Sequence, residues 1–480
     1  MKEKKNMNQS SRRYHPAMIA VDLISFMKGS IGIVLLLFIF KASSTSIWVI
    51  WGRYIFIVVS VFTLIGTILK WMFCQYEVTQ NSVIERKGVF VKSQRAVPFS
   101  SIHNHKLNTT FIHRWLGLTS LTLETGTSGE HANFTFPVIT AKEKKLILLQ
   151  LEQPKDRKDE EQKPLIERTI HFQSNKKDLI KASFTSLSFL AFFPLLNALY
   201  FNIVELFHIE DTAKSAFDYL LIHWWMLIII LILAMLLSAL FGLFKTFTKY
   251  GNFVISDDKD RIFIEKGIGN VISYSILKHR VQAVVVEQSI LKRLLGFVEV
   301  KLISAGGSEI DGDQDTSSLY PFMPKQQAYQ ILQAMLPQYV IKERMERFPI
   351  KVLWLKLLLP YYLTIVSVIG LAIFKREWLW IAAIVFVISV VSRILDYWFT
   401  SYIRHGKTVQ IRKGGFVNET FVTHHKRIQQ VTVEHSWLQR KFNVATLVFL
   451  NRAKPMHESK LYGLSKEEVG TFYHWYHGQS

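Results

Sequence analysis

ILKHRVQAVVVEQSILKRLLGFVEVKL, residues Ile276–Leu302, is the stretch on which the reading of this chain turns. It holds Gln282, then Arg293 eleven residues on, then Gly296 three further, followed by Phe297, Val300 and Leu302. The same comb of positions occurs twice more. Counting from Lys87-Gly88, Lys266-Gly267 and Lys413-Gly414, the fifteenth residue after each glycine is His103, Gln282 or Gln429. Each is preceded by an aliphatic residue: Ile102, Val281 or Ile428. Eleven residues later stand Arg114, Arg293 and Arg440, inside IHRWLGL, LKRLLGF and LQRKFNV. Three further come Gly117, Gly296 and Asn443, and then apolar residues in fixed places. A spacing kept without a gap in three copies marks an internal repeat.

The physics of the repeat is that of a β module. VIERKGVFV, RIFIEKGIG and TVQIRKGGF place β-prone runs around Lys-Gly, as hairpins do when glycine supplies the backbone conformation other residues resist. The Gly or Asn ending each arginine motif fits a left-handed cap that closes one helical turn before the next strand. Each copy then ends in a helix with a start signal. Thr140–Glu143 and Ser465–Glu468 read as capping boxes, and Pro324 stands where a first helical residue would. The fold expected is a small barrel or bent sheet plugged by its last helix, about 80 residues per copy.

Between the copies lie apolar runs long enough to cross a bilayer core of roughly 30 Å, which takes about 20 residues. They come in pairs: Met18–Phe40 with Ile47–Leu69, Ile180–Phe207 with Tyr219–Phe244, and Val352–Phe374 with Trp378–Phe399. The links inside each pair are short (KASSTS, HIEDTAKSAFD and KRE), so each pair reads as an antiparallel hairpin and every long segment falls on one side. Lys2, Lys4, Lys5, Arg12, Arg13, Lys70, Lys176, Lys177, Lys245, Lys249, Arg347 and Lys351 gather on that side, and Lys375 and Arg376 are the main exceptions. The positive-inside rule then makes the N-terminus and the long segments cytoplasmic. The first apolar run is long and starts late, unlike a secretory signal. The formal net charge of +21 needs no nucleic-acid partner once this bias is counted. The single cysteine, Cys74, excludes an intramolecular disulfide.

The organisation expected is therefore an α-helical polytopic membrane protein, six spans in three hairpins, carrying three cytoplasmic α+β modules. Its parts are 1–71 (basic N-terminus and first hairpin), 72–152 (first module), 153–178 (charged linker), 179–247 (second hairpin), 248–338 (second module), 339–399 (basic lead-in and third hairpin) and 400–480 (third module).

RRYHPAMI ahead of the first span, a pair of spans before each module, and the Ile276–Leu302 stretch together resemble the bacterial PH-like membrane family of the YdbS and YdbT types. The alternation of hairpin and module three times resembles the YdbT type. The resemblance covers nearly the whole chain. It implies a PH-like fold, a seven-stranded bent sheet capped by one helix, and no established activity. His103 in place of the family's glutamine and Asn443 in place of its glycine are departures from the pattern.

For function, the repeated arginines have two readings: shaping a turn, or holding a lipid phosphate through paired hydrogen bonds. The candidate headgroup or partner contacts are Arg114, Arg293, Arg440, Lys87, Lys266 and Lys413. The turn-defining positions are Gly88, Gly117, Gly267, Gly296, Gly414 and Asn443. Histidines cluster at His103/His105/His113, His424/His425 and His474/His477, but without carboxylates or cysteine in ligand spacing they point to no metal. The acidic run Glu309–Phe322 fails as a calcium loop, with Thr316 and Phe322 where Gly and Glu belong, and reads as a surface loop. No Walker loop, serine elbow, HExxH or Rossmann fingerprint is present, so neither catalytic residues nor a cofactor is expected. Asp22, Lys28, Arg53, Lys356, Arg393 and Asp396 fall in or near spans, and they are what a transporter or channel would use. The leading expectation is a non-enzymatic scaffold in the bacterial cell membrane. It would bind anionic lipids, another membrane protein or its own kind, in a role such as envelope maintenance or protection.

Overall fold

A computed structural model of the chain describes residues 11–41, 44–89, 91–125, 133–152, 168–185, 223–304, 318–453 and 456–478. Two compact units emerge. One comprises Met1–Ile166, Gln173–Val254 and Glu265–Tyr274, the other Glu167–Phe172, Ile255–Ile264 and Ser275–Ser480.

The first unit begins with a two-residue strand, β1 (Arg12–Arg13), followed by α1 (Ala17–Val34), whose last turns over Leu35–Phe40 are π-helical, and α2 (Ile47–Phe73). Then come β2 (Gln75–Val78), β3 (Ser82–Lys87), β4 (Ser93–Pro98), β5 (Ile102–Thr109), the single-turn α3 (Phe111–Trp115), β6 (Leu118–Thr125), β7 (Asn133–Thr140) and α4 (Ala141–Glu152). Strands β1-β2-β3-β4 form one antiparallel sheet, and β5-β6-β7 the other half of the module. The hairpin α1–α2 is thus inserted between the module's first strand and its second. Tyr14, just ahead of α1, is buried, with its ring 4.8 Å from that of Tyr76. Phe136 lies 5.3 Å from Tyr76, above a floor of Leu121, Leu123 and Phe134. The helix α4 closes this core. It starts in the Thr140–Glu143 capping box, Thr140 N–H donating to Glu143 Oε2 (2.9 Å) and Glu143 N–H to Thr140 Oγ1 (3.3 Å).

Further along the chain are β8 (Thr169–Gln173), α5 (Lys176–Thr185), α6 (Trp224–Tyr250), β9 (Val254–Asp257), β10 (Arg261–Lys266) and β11 (Val271–Leu277). Residues Val271–Tyr274 of β11 pair antiparallel with β5, Val271 opposite Thr109. The first and second modules are joined by that ladder.

The second unit holds β12 (Val281–Ser289), α7 (Ile290–Leu294), β13 (Phe297–Ser304), β14 (Ser318–Pro324) and α8 (Lys325–Met335), the closing half of the second module. After β15 (Glu346–Arg347) come three helices, α9 (Lys351–Leu358), α10 (Tyr362–Phe374) and α11 (Leu379–Phe399). The third module follows as β16 (Ser401–His405), β17 (Thr408–Lys413), β18 (Val417–His424), β19 (Ile428–Glu434), α12 (Trp437–Lys441), β20 (Val444–Asn451), β21 (His457–Ser465) and α13 (Lys466–His477). Strand β15 pairs with β16 from before the helices, as β1 does with β2. Strand β12 pairs with β18, Gln288 opposite Asn418, so the same kind of ladder joins the second module to the third.

The sequence reading needs correction in four places. Among the described residues four segments are long and apolar enough to cross a membrane: Ala17–Ile39, Ile47–Phe73, Lys351–Phe374 and Arg376–Phe399. The fourth expected span, Tyr219–Phe244, corresponds to the 27-residue helix α6, while most of the third, Ile180–Phe207, lies outside the described residues. Val352–Phe374 is not one continuous helix. Pro360 has no N–H to give and forces Leu359 into an extended backbone, which splits α9 from α10. Pro324 caps α8 rather than opening it. Finally, Ser318–Phe322, expected as the end of an acidic loop, lies in β14 and is buried; the loop's other residues, like 153–167 of the linker, lie outside the described residues.

Candidate functional site

The arginine motif folds identically in its three copies. Thr110, Ser289 and Ser436 cap the single-turn helices, each side chain accepting from the N–H three residues on. These caps are a further repeat position, and a Ser or Thr three residues ahead of the motif's second residue is the signal that marks it. The helices end at Gly117, Gly296 and Asn443 with φ of +66°, +72° and +53°. The N–H of each donates to the carbonyl of Arg114, Arg293 or Arg440. It is therefore the backbone of the arginine that closes the turn. The side chains are left for other work, and here the copies diverge. Arg114 and Arg440 are exposed. The guanidinium of Arg293 lies 4.5 Å from the Phe399 ring at the end of α11. Large apolar residues flank all three: Trp115 and Phe111 in the first copy, Leu294 in the second, and Trp437 in the third, with Lys441 4.1 Å over the Trp437 ring.

The Lys-Gly turns diverge more. Gly88 and Gly267 have φ of +119° and +100°, and a Cβ on either would strike the carbonyl oxygen of Val91 or Asn270 within 2 Å. Gly414 has no positive φ; its Cβ would meet that of Phe399 at 2.0 Å, so glycine there permits a close approach. The lysines differ in the same way. Lys266 is buried, 5.9 Å over Tyr274. Burial pushes the Lys413 ammonium below its ordinary pKa. Lys87 is half-exposed, and it lines a cleft of about 550 Å³ with Arg13, Arg86, Lys92, Gly88, Ser93, Gln94, Gln75, Met72 and Phe73. Four cations and no carboxylate form its wall. Glu77 and Glu85, which pair with Arg86 and Lys87 at 3.3 Å, are not part of the lining. Met72 and Phe73 are the last residues but one and the last of α2, so the cleft opens where a membrane-length helix ends. Sequence reasoning singled out Lys87 and missed Arg86 and Lys92, because the meeting of β3, β4 and the strand before the hairpin is a tertiary event.

The charged residues in the helices have local partners. Arg53 donates to the carbonyls of Leu37 (2.9 Å), in the π-helical end of α1, and Lys41, just beyond it. Arg393 donates to the carbonyls of Lys356 (2.9 Å), Leu359 (2.6 Å) and Pro360 (2.8 Å) and lies 3.7 Å over Tyr361. It thereby satisfies the carbonyls released by the Pro360 break. Lys70 meets Asp22 at 2.7 Å and Lys356 meets Asp396 at 2.6 Å. Lys28 is exposed on α1. Of the histidines, His113 is buried between Thr110 and the Pro137 carbonyl, and His425 packs 6.1 Å from Trp475; the His103 side chain is not described. Among the described residues no three His, Cys, Asp or Glu side chains gather as a metal site.

A module with a four-stranded and a three-stranded sheet, closed by a terminal helix and occurring three times, matches a known family. The profile described as "Bacterial PH domain" aligns with residues 30–155, 200–338 and 354–480. The chain belongs to the bacterial PH domain family. It is also similar to the "UPF0699 transmembrane protein YdbT" of Bacillus subtilis (strain 168), 21% identical over 98% of this chain and 99% of that protein. No solved structure matches it. The chain is thus of a transmembrane protein family in which the bacterial PH domain is repeated three times.

Proposed function

We propose that this protein is a non-enzymatic membrane scaffold whose first PH-like module holds the phosphate of an anionic lipid headgroup in the Arg13/Arg86/Lys87/Lys92 cleft. In this reading six spans in three hairpins anchor the chain, and the lysine and arginine bias of the flanks sets the N-terminus and the modules in the cytoplasm. The observation that carries it is the cleft: four cations in one wall, no carboxylate, beside the apolar end of α2. A headgroup there would pair its phosphate with the guanidinium groups and lysines while Met72 and Phe73 meet the glycerol and upper acyl carbons. The buried Lys266 and the half-buried Lys413 take no part. Exposed Trp115, on the Arg114 turn, has the chemistry of a residue that settles at a bilayer interface.

The test uses the full chain, delipidated in detergent and titrated with phosphatidylglycerol and, separately, phosphatidylcholine. With about 1 kcal/mol per lysine, Lys87→Ala/Lys92→Ala should weaken phosphatidylglycerol binding roughly thirtyfold and leave phosphatidylcholine unchanged. Equal loss for both lipids, or no loss, would refute headgroup recognition in this cleft.

A further inference from the structure

Strands β5, β12 and β19 are the same strand of the repeat, and β4, β11 and β18 are another. Two of the three β5-type strands have a β4-type strand of the next module on their outer edge. Thr109 pairs with Val271 and Gln288 with Asn418, each pair twenty-one and four residues beyond its own Lys-Gly glycine, so both ladders share one register. Polar bonds reinforce the second: Thr423 Oγ1 donates to the Gln282 carbonyl (2.8 Å) and Arg427 to that of His279 (2.6 Å). In the first, the Phe111 N–H donates to Asn270 Oδ1 (3.3 Å).

One strand of each type is left over. Among the described residues β19 is the edge of a three-stranded sheet and β4 the edge of a four-stranded one. Exposure follows. Val284–Val286 of β12 are buried, whereas Gln429, Gln430, Val433 and Glu434 of β19 are exposed, as are Ser93, Gln94 and Ala96 of β4. A long open edge is a template for another strand.

We infer that β19 of one chain pairs with β4 of a second copy of this chain, in the register already used twice within the chain. The rule places His435 opposite Lys92, Glu434 opposite Ser93, Val433 opposite Gln94 and Thr432 opposite Arg95. No two carboxylates and no two Lys or Arg side chains stand face to face. It also sets Trp437, the equivalent of Phe111, on Val91, the equivalent of Asn270. These two apolar residues are 69% and 82% exposed, and the pairing would cover both. The second copy is the occupant favoured because this chain carries both halves of a junction it makes twice. Such a contact is head-to-tail, so it builds rings or open chains rather than a closed two-fold dimer. The ladder would use the backbone edge of Lys92, Ser93 and Gln94, residues that also line the basic cleft, so its test reads chain-to-chain contact and not lipid.

Cross-linking of full chains in membranes tests it. One chain carries Gln94→Cys and one epitope tag, the other Val433→Cys and a second tag; both positions are exposed, so folding is little disturbed. Mild oxidation should give a disulfide-linked product bearing both tags, at least tenfold above that from Glu458→Cys, which lies on β21 at the opposite edge of the same sheet. Yield equal to that control, or a disulfide that forms only within a single chain carrying both Gln94→Cys and Val433→Cys, would overturn the inference.

Discussion

In the first module Tyr76 donates its hydroxyl to Glu143 (2.6 Å), and in the third Tyr402 donates to Glu468; in both the glutamate completes the capping box of the closing helix. Leu121 and Leu447, and Leu123 and Phe449, occupy the same buried places. The segment ahead of the hairpin adds Tyr14 to one core and Phe348 to the other. Outside, the likeness ends. Lys87 lines an open basic cleft, while Lys413 is half-buried next to Gly414, which packs on the end of α11, and burial lowers its pKa. The difference teaches that the repeat constrains what faces inward, namely the strand register, the caps and the aromatic cluster, and leaves the outer surfaces to differ.

If the interiors are equivalent, Leu121→Ala and Leu447→Ala should cost about the same, about 2–5 kcal/mol each, because both side chains are wholly buried and leave similar voids. Thermal unfolding of full-length protein in detergent micelles checks this, and a gap wider than that range would break the comparison. A smaller effect separates the closing bonds. Burial opposes ionisation of Glu143, but hydrogen bonds from Tyr76 and Thr140 outweigh it and hold the carboxyl below its ordinary value. Its depressed pKa means that its contribution is present above pH 4.5 and fades as pH falls through the folded value. Glu143→Gln should therefore cost about 1–3 kcal/mol at neutral pH, with the deficit closing in acid. Unfolding of the variant and the parent across pH 3–7 (a range set on either side of roughly 4.5) measures the convergence. The smallest effect runs the other way. Asn443 holds φ +53° where the first two copies have glycine, so Asn443→Gly should stabilise the third module by about 0.5 kcal/mol or less. Gly117→Ala, strained at φ +66° with open space around it, should destabilise by about 1 kcal/mol.

Much of this architecture was legible because it is periodic. The comb from Lys-Gly to the Arg-turn glycine marks three modules by spacing alone, and the capping boxes at Thr140 and Ser465 are local signals that tertiary structure rarely overrides. Pro360 was equally visible, but its consequence needed a partner: Arg393, thirty-three residues on, bonds the carbonyls at the break and makes it tolerable in an apolar setting. The candidate site was less readable. Lys87, Lys266 and Lys413 are alike in sequence, and what separates them is whether Tyr274 or Phe399 packs nearby. The arginines are alike in sequence too, and the repeat uses their backbone at the turn while their side chains differ in exposure.

The ladder between β5 and β11 also has a consequence in time. Thr109 and Val271 are separated by some 160 residues that must leave the ribosome first, and at typical bacterial speeds that takes roughly 10–30 s. Throughout that interval the nascent first module displays an unmated strand. Whatever shields β5 during synthesis, whether a chaperone, the translocation machinery or a neighbouring nascent chain, acts on the same backbone edge that β19 goes on offering after the last residue is made.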